Sequence, residues 1–195
     1  MNNVMIDLET LGVRADAVIL SLGAVRFDPL GPGEQPLNMP QHLGPEFRAN
    51  ISIQSCLDAG LRIDGSTVEW WFQQSEAARK SLFEPKPVPL SAALANFARW
   101  MQQTGEMKYT KAWSHGVTFD VVILGEAYAH LGQKPPWMYK LARDTRTLFA
   151  ETPGYFDAMG QRMRGTPGIE HDCLDDAKEQ VKWVQYAWWL REGAK

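Results

Sequence analysis

Cysteine is nearly absent from this sequence, which has only Cys56 and Cys173 among its 195 residues. Two isolated thiols form neither a disulfide framework nor a cysteine metal cluster. Their scarcity excludes the small disulfide-rich secreted folds and disfavours thiol chemistry. A reducing compartment, the cytoplasm, is therefore the expected location.

Long apolar runs and an excess of positive charge are also missing. No segment approaches the ~20 apolar residues of a membrane span, and no basic stretch leads into an apolar one at the N-terminus, so we expect a soluble protein with no membrane partner. The net charge of -3 argues against a large nucleic-acid footprint, although an enzyme that grips only a strand end needs few phosphate contacts. With 45% hydrophobic residues, the chain can form one domain over residues 1–195.

The sequence does contain a pair of acids inside an apolar first strand. Residues 4–9 read VMIDLE, and side chains two apart on a strand share a face, so Asp7 and Glu9 point the same way. Apolar neighbours on both faces indicate a central strand, where carboxylates are costly unless they are paired or bind a cation. Oxygen ligands on a rigid strand suit a hard divalent ion. A solvated acidic edge strand is the alternative on these residues alone.

The order of predicted elements describes an α/β domain with a mixed sheet flanked by helices. Strands predicted over 4–9, 17–27 and 47–53 lie close enough in the chain to form an antiparallel meander. Strands over 111–114 and 139–143 then alternate with helices over 119–131 and 174–191. Gly- and Pro-rich loops are predicted over 28–45 and 152–168.

Two adjacent tryptophans follow a predicted helix start. Ser66 to Glu69 matches a capping box, which predicts a helix carrying Trp70 and Trp71. Neighbouring residues lie about 100° apart on a helix, so one indole should reach the core and the other should line a cleft.

Further acids and one histidine mark two later helix starts. Asp120 falls in the first turn of its helix, and taken alone it is better explained as a charge cap at the positive end of the helix dipole. At the last helix, Asp172 is placed as the N-cap and Asp175 falls opposite the apolar stripe, which leaves it solvated. Asp176 lies on the flank of the stripe, where it can reach a shared cleft, and His171 precedes the cap in a loop.

Taken in order, these residues resemble the DEDDh 3′-to-5′ exonucleases of the ribonuclease H-like superfamily, which includes proofreading exonucleases and ribonuclease T. The motifs stand here as IDLET, HGVTFD and HDCLDDA, and they run from residue 7 to residue 176. The stretches Glu69-Trp70-Trp71 and Arg143-Asp144-Thr145-Arg146 are similar to those of a small bacterial and phage subgroup. The resemblance implies a ribonuclease H-like fold, in which a three-stranded antiparallel meander is followed by strand and helix units.

The resemblance also implies a chemistry. Asp7, Glu9, Asp120 and Asp176 would be catalytic ligands of two Mg²⁺ or Mn²⁺ ions, and His171 would be the general base toward the attacking water. The reaction would release nucleoside 5′-monophosphates from single-stranded RNA or DNA 3′ ends, and the preferred sugar stays open. The residues expected to contact substrate are Thr10, Leu11, Trp70, Trp71 and Phe119.

Two other functions compete with this interpretation. A catalytically silent nucleic-acid-binding or scaffold domain of the same fold is disfavoured, because it has no need of clustered acids. An unrelated metal-dependent phosphoesterase would use several histidine ligands. The four histidines show no H-x-H or H-x3-H spacing, which weakens that alternative.

A homodimer is expected from the tryptophan content. The eight tryptophans, with Trp188 and Trp189 adjacent on the last helix, provide more large apolar surface than one small core readily hides. Related exonucleases are often dimeric, with the partner shaping the substrate groove. The alternative is that these rings belong to the core of two helices.

Overall fold

A computed structural model describes residues 1–31, 42–154 and 168–193. The strands in these ranges form one sheet: β1 (Asn3–Thr10), β2 (Ile19–Phe27), β3 (Leu43–Asn50), β4 (Lys111–Ser114) and β5 (Ala142–Asp144). Their spatial order is β3-β2-β1-β4-β5, with an antiparallel β1, β2, β3 meander and parallel pairing of β1, β4 and β5. The predicted mixed sheet and the central place of the first strand are confirmed.

The helices described by the structure are α1 (Ile53–Asp58), α2 (Gly65–Phe72), α3 (Glu76–Ser81), α4 (Leu90–Thr104), α5 (Asp120–His130), α6 (Thr145–Ala150) and α7 (Cys173–Gly193). Short 3-10 turns, Met107–Tyr109 and Tyr139–Leu141, precede β4 and β5. Within these ranges, no helix combines the length and the apolar character that crossing a bilayer requires.

The predicted capping box before the tryptophan pair is wrong. Helix α2 begins at Gly65 with Asp64 in the N-cap position, and no side chain caps it. Ser66 therefore lies inside the first turn. Asp64 instead uses its carboxylate to accept a hydrogen bond from the Val13 amide at 3.3 Å, which ties α2 to the loop after β1.

Two strand boundaries also differ from those predicted. Ile53 begins α1, because the Ser52 hydroxyl caps that helix by accepting from the Ser55 amide. The strand predicted over 139–143 is confined to Ala142–Asp144, since β4 offers pairing partners only to these three residues. Of the two predicted loops, residues 32–41 and 155–167 lie outside the described residues.

Two apolar layers cover the two faces of the sheet. Val4, Ile6 and Leu8 of β1 point into the larger core, which α4 and α5 complete. Met5 belongs to the second core, where Ala177 and other residues of α7 cover the opposite face. Because strand side chains alternate, the two acids of β1 share the face of Met5 and therefore point toward α7.

Helix α7 begins directly against β2. Gly23 of β2 stands opposite Asp7 in the strand register. A Cβ atom on Gly23 would lie 2.2 Å from the carbonyl oxygen of Cys173, so only glycine permits this approach. The close contact brings the first turn of α7 over the acidic end of β1.

Candidate active site

Asp7 lies at the centre of the site and is held by a residue of α7. The Gln180 side-chain amide donates a hydrogen bond to Asp7 Oδ1 at 2.6 Å. This bond joins two residues 173 positions apart and sets the carboxylate against the helix. Glu9, two residues further along β1, is 7% exposed and points from the same face.

Asp120 is attached to the same strand from the other side. It occupies the first turn of α5, and its Oδ1 accepts a hydrogen bond from the Leu8 amide at 3.1 Å. Because Leu8 lies between Asp7 and Glu9, this bond places the Asp120 carboxylate beside both. A charge cap alone does not explain why the Asp120 side chain is only 3% exposed and bonded to β1.

The start of α7 supplies the fourth acid and the histidine. Asp176 Oδ2 accepts a hydrogen bond from the His171 amide at 3.1 Å, which closes the loop onto the helix. Asp172 Oδ1 accepts from the amides of Leu174 and Asp175, as predicted for the N-cap. Asp175 is half-buried rather than fully solvated, and its carboxylate accepts from a loop amide, that of Ile169, at 3.0 Å.

An ion pair anchors this end of α7 to the sheet. Arg48 of β3 donates from Nη1 to Asp172 Oδ1 at 2.6 Å and from Nη2 to the Ser81 carbonyl oxygen at 2.8 Å. Asp172 is therefore neutralised by a cation, unlike the acids at the centre of the site. The ion pair with Arg48 agrees with the structural role, that of an N-cap, which the sequence predicts for Asp172.

The acids Asp7, Glu9, Asp120 and Asp176, called here the acidic cluster, share an environment that opposes ionisation. Burial raises the pKa of Asp7 well above its usual range, and the charges of Asp120, Glu9 and Asp176 raise it further, while the bond from Gln180 lowers it. Burial and the neighbouring acids likewise raise the pKa of Glu9. Burial raises the pKa of Asp120 to about 7 and that of Asp176 to about 7. Holding these four acids together therefore lowers the folding stability when no cation is bound.

The donor set fits a hard divalent cation. In the described ranges, no lysine or arginine forms an ion pair with a member of the acidic cluster. Ligand atoms of Glu9, His171 and Asp176 all lie within 4.8 Å of one another. Carboxylate oxygens are the preferred ligands of Mg²⁺ and Mn²⁺. The geometry also allows His171 to act as a ligand, which the sequence interpretation did not assign to it.

A cavity of about 380 Å³ opens beside Glu9. Its lining comes from the end of β1, the loop after it, α2 and the residue before α5: Leu8, Glu9, Thr10, Gly12, Val13, Ser66, Thr67, Trp70, Trp71 and Phe119. Four of the five predicted substrate contacts, Thr10, Trp70, Trp71 and Phe119, are in this set. Leu11 is not, because its side chain packs in the larger core. The volume is in the range of small-ligand sites.

The two tryptophans of α2 divide as their angular separation predicts. Trp71 is 5% exposed, and its Nε1 donates to the Thr10 carbonyl oxygen at 2.9 Å. Trp70 is 39% exposed at the cavity. The Trp70 ring also meets the His171 ring edge-on, with the centroids 4.8 Å apart. His171 has a φ of 64°, a left-handed conformation that few residues other than glycine adopt, so packing and the Asp176 bond together hold it in place.

Sequence reasoning assigned no role to two residues that organise the site. Gln180 follows Asp176 by four positions and so lies on the same flank of α7, a signal that could have identified it. Arg48 stands in an alternating strand without any distinguishing motif. Only the packing of α7 across β2 and β3 brings Arg48 to Asp172.

Several solved structures share the fold of this chain. Exonuclease I without ligand shares 13% identity over 94% of this chain and 41% of its own length, with a TM-score of 0.58. Exonuclease X in complex with 5′ overhanging duplex DNA shares 14% identity over 99% of this chain and 93% of its own, with a TM-score of 0.54. E. coli Exonuclease I in complex with a dA16 oligonucleotide has a TM-score of 0.58. The fold is thus the ribonuclease H-like fold of exonucleases, as the sequence resemblance implies.

Sequence comparison then places the chain within one family. Residues 2–188 match the 3′-5′ exoribonuclease Rv2179c-like domain, and the chain belongs to that family. An exodeoxyribonuclease of Enterobacteria phage T4 is 27% identical over 127 residues. That alignment covers 64% of this chain and 54% of the phage protein, so the chain spans about half of its length.

Proposed function

We propose that this chain is a metal-dependent 3′-to-5′ exonuclease that trims the 3′ end of single-stranded nucleic acid and releases nucleoside 5′-monophosphates. The observation that carries the proposal is the acidic cluster. Four carboxylates from β1, α5 and α7 meet without a lysine or arginine ion-pair partner in the described ranges, beside a cavity lined by aromatic rings. Membership of an exoribonuclease family supports the direction of cleavage and favours RNA as the substrate.

Two divalent ions, Mg²⁺ or Mn²⁺, would be held by Asp7, Glu9, Asp120 and Asp176, and they would supply polarisation of the phosphate and a lowered pKa for water. His171 would take the proton of the attacking water, since a neutral imidazole nitrogen can accept one. Its ring lies against Trp70 and its amide bonds to Asp176, so its position relative to the cluster is restricted.

The terminal nucleotide would occupy the cavity beside Glu9. Trp70 is exposed there and offers a face for stacking, which tolerates any base. Trp71 and Thr10, bonded to each other at 2.9 Å, would form the rigid wall of the cavity. Phe119 would contribute the opposite wall, directly before the helix that carries Asp120.

The test is digestion of single-stranded RNA and DNA of one sequence, labelled at the 5′ end, with Mg²⁺, Mn²⁺ or EDTA. We expect a ladder that shortens from the 3′ end only with metal, and no ladder with Asp7→Asn. Tight binding without cleavage would support the silent domain instead. Cleavage that continues in EDTA or in Asp7→Asn would overturn the assignment of the metal site.

We propose in addition that the single exonuclease domain forms a homodimer, as the family resemblance implies. The tryptophan argument for it is weaker in the structure, since Trp70 is exposed and the other seven tryptophans are buried or partly buried. Sedimentation that shows a monomer at micromolar concentration would reject the dimer.

Cys56 and Cys173 are both buried free thiols, which supports the proposal of a reducing cytoplasmic compartment.

A further inference from the structure

Arg146 follows β5, and among the described residues its guanidinium has no bonded partner. Within the described ranges its backbone amide donates to Asp144 Oδ1 at 2.8 Å, but its side chain forms neither a hydrogen bond nor an ion pair. Every other arginine in these ranges uses its guanidinium in at least one such contact. The side chain of Arg146 is exposed.

The backbone around Arg146 is well anchored. Asp144 caps α6 and also accepts a hydrogen bond from the Val117 amide at 2.9 Å. His115 Nδ1 lies 2.8 Å from the Thr145 hydroxyl oxygen. These contacts join the turn after β4 to the start of α6, so the arginine extends from a fixed base.

The guanidinium lies against a glycine next to the cluster. A Cβ atom on Gly116, whose φ is 113°, would lie 3.2 Å from Arg146 Nη1. Gly116 precedes Asp120 by four residues, and the positive charge of Arg146 reaches that acid: burial raises the pKa of Asp120, and Arg146 offsets part of the rise. The Arg146 guanidinium is therefore near the acidic cluster but forms no ion pair with any of its four acids.

Arg146 and most of the cavity lining belong to elements at different places along the sheet. The cavity is formed mainly by β1, the loop after it and α2, with Phe119 contributed by the segment before α5. Arg146 follows β5, which is separated from β1 by β4. A strand whose last nucleotide lies in the cavity would cross the acidic cluster and continue toward the end of β5. A phosphate at or upstream of the scissile linkage would then meet the arginine.

We propose that Arg146 binds a backbone phosphate of the substrate strand and so sets the position of the scissile linkage over the acidic cluster. This inference rests on the proposed exonuclease function. A guanidinium suits the task because it is planar, permanently charged and able to hold two phosphate oxygens at once. The overall charge of -3 makes a single well-placed cation more important than it would be in a basic protein.

The test combines variants with substrates that lack charge at one linkage. Arg146→Gln is compared with Arg143→Gln, which removes the same charge three residues away. Among the described residues, the Arg143 guanidinium donates only to the carbonyl oxygens of Ala142 and Lys140. We expect Arg146→Gln to raise KM about 10-fold, the size of one charge-assisted contact, and Arg143→Gln to leave it unchanged. The slope of log KM against log salt should fall by about 0.7 in Arg146→Gln, the value for one phosphate on a single strand.

A methylphosphonate placed at each linkage in turn identifies the phosphate. Wild-type protein should lose affinity at one linkage at or upstream of the cleavage site, and Arg146→Gln should show no loss there. Equal losses in the two proteins at every linkage, or an unchanged salt slope, would overturn the proposal. Arg146→Lys should keep the salt slope but not the full affinity, and it decides the case if Arg146→Gln melts at a lower temperature.

Binding measured by fluorescence anisotropy in Ca²⁺ separates this inference from the function on which it rests. If wild-type protein binds the strand but cleaves nothing in Mg²⁺ or Mn²⁺, the exonuclease proposal fails. The methylphosphonate comparison on binding alone then still decides whether Arg146 holds a phosphate.

Discussion

Replacing Asp7 by asparagine should abolish cleavage and, without metal, stabilise the fold. The asparagine side chain has nearly the same shape and its oxygen can still accept the bond from Gln180 that Asp7 accepts at 2.6 Å. It removes the charge at the centre of the acidic cluster, where burial and three other acids raise the pKa of Asp7. The variant therefore separates the chemistry of the site from its folding.

The gain in folding stability of Asp7→Asn over wild type should depend on pH, and its sign follows from the number of protons that the folded and unfolded chains bind. With a raised pKa, folded wild-type protein keeps a proton on Asp7 that the unfolded chain loses above about pH 4. Wild-type stability therefore falls as pH rises from about 4 toward the raised pKa values of the acidic cluster, which are about 7 for Asp120 and Asp176. Asp7→Asn removes one contribution to that fall, so the two proteins should be similar at low pH and differ at high pH.

The size of the gain can be estimated. At pH 8, folded wild-type protein must either keep a proton on Asp7 or bury its charge, and each costs several kcal/mol. The hydrogen bond from Gln180 reduces that cost, which leaves a gain in stability of about 1–3 kcal/mol for Asp7→Asn. In a chain of this length 1 kcal/mol shifts Tm by roughly 2–4 °C, so Asp7→Asn should melt roughly 2–12 °C higher in EDTA. With Mg²⁺ the order should reverse, because wild-type protein gains stability from the bound ion.

The assay is thermal unfolding at pH 5 and pH 8, in EDTA and in Mg²⁺. Asp175→Asn is the matched control, since it removes a charge from the same region outside the acidic cluster. It should shift Tm little and respond to Mg²⁺ as wild type does. An Asp7→Asn protein that melts with wild type at pH 8 in EDTA, or that gains as much from Mg²⁺, would refute the reasoning.

Four other variants test the remaining parts of the site. His171→Ala should lower kcat by about 10²- to 10⁴-fold and leave Mg²⁺ affinity unchanged in calorimetry. Asp176→Ala should lower both kcat and Mg²⁺ affinity. Loss of metal binding in His171→Ala would show that the histidine is a ligand. Trp70→Ala should raise KM by the factor that corresponds to losing one stacked base, a free energy of ~1–3 kcal/mol. It should also lower kcat, because the ring contacts His171. An effect on melting temperature alone would show a structural role. Gly23→Ala should destabilise the protein in urea unfolding, because its Cβ would meet the Cys173 carbonyl oxygen, and a wild-type midpoint would contradict that contact.

Local patterns in the sequence determined most of the elements and the chemistry of the acids. The alternation on β1 placed Asp7 and Glu9 on one face, and the apolar stripe of α7 put Asp176 on its flank. The N-cap role of Asp172 and the division between Trp70 and Trp71 followed in the same way. Such features depend on the period of a single helix or strand, which neighbouring residues fix by themselves.

Other features were decided only by tertiary structure. The strand predicted over 139–143 shortened because β4 offers few partners. Leu11 packed in the core rather than in the cavity. The bond from Gln180 to Asp7 and the ion pair from Arg48 to Asp172 join residues more than 100 positions apart. Their existence depends on how closely α7 approaches β2 at Gly23, a distance that no local pattern specifies.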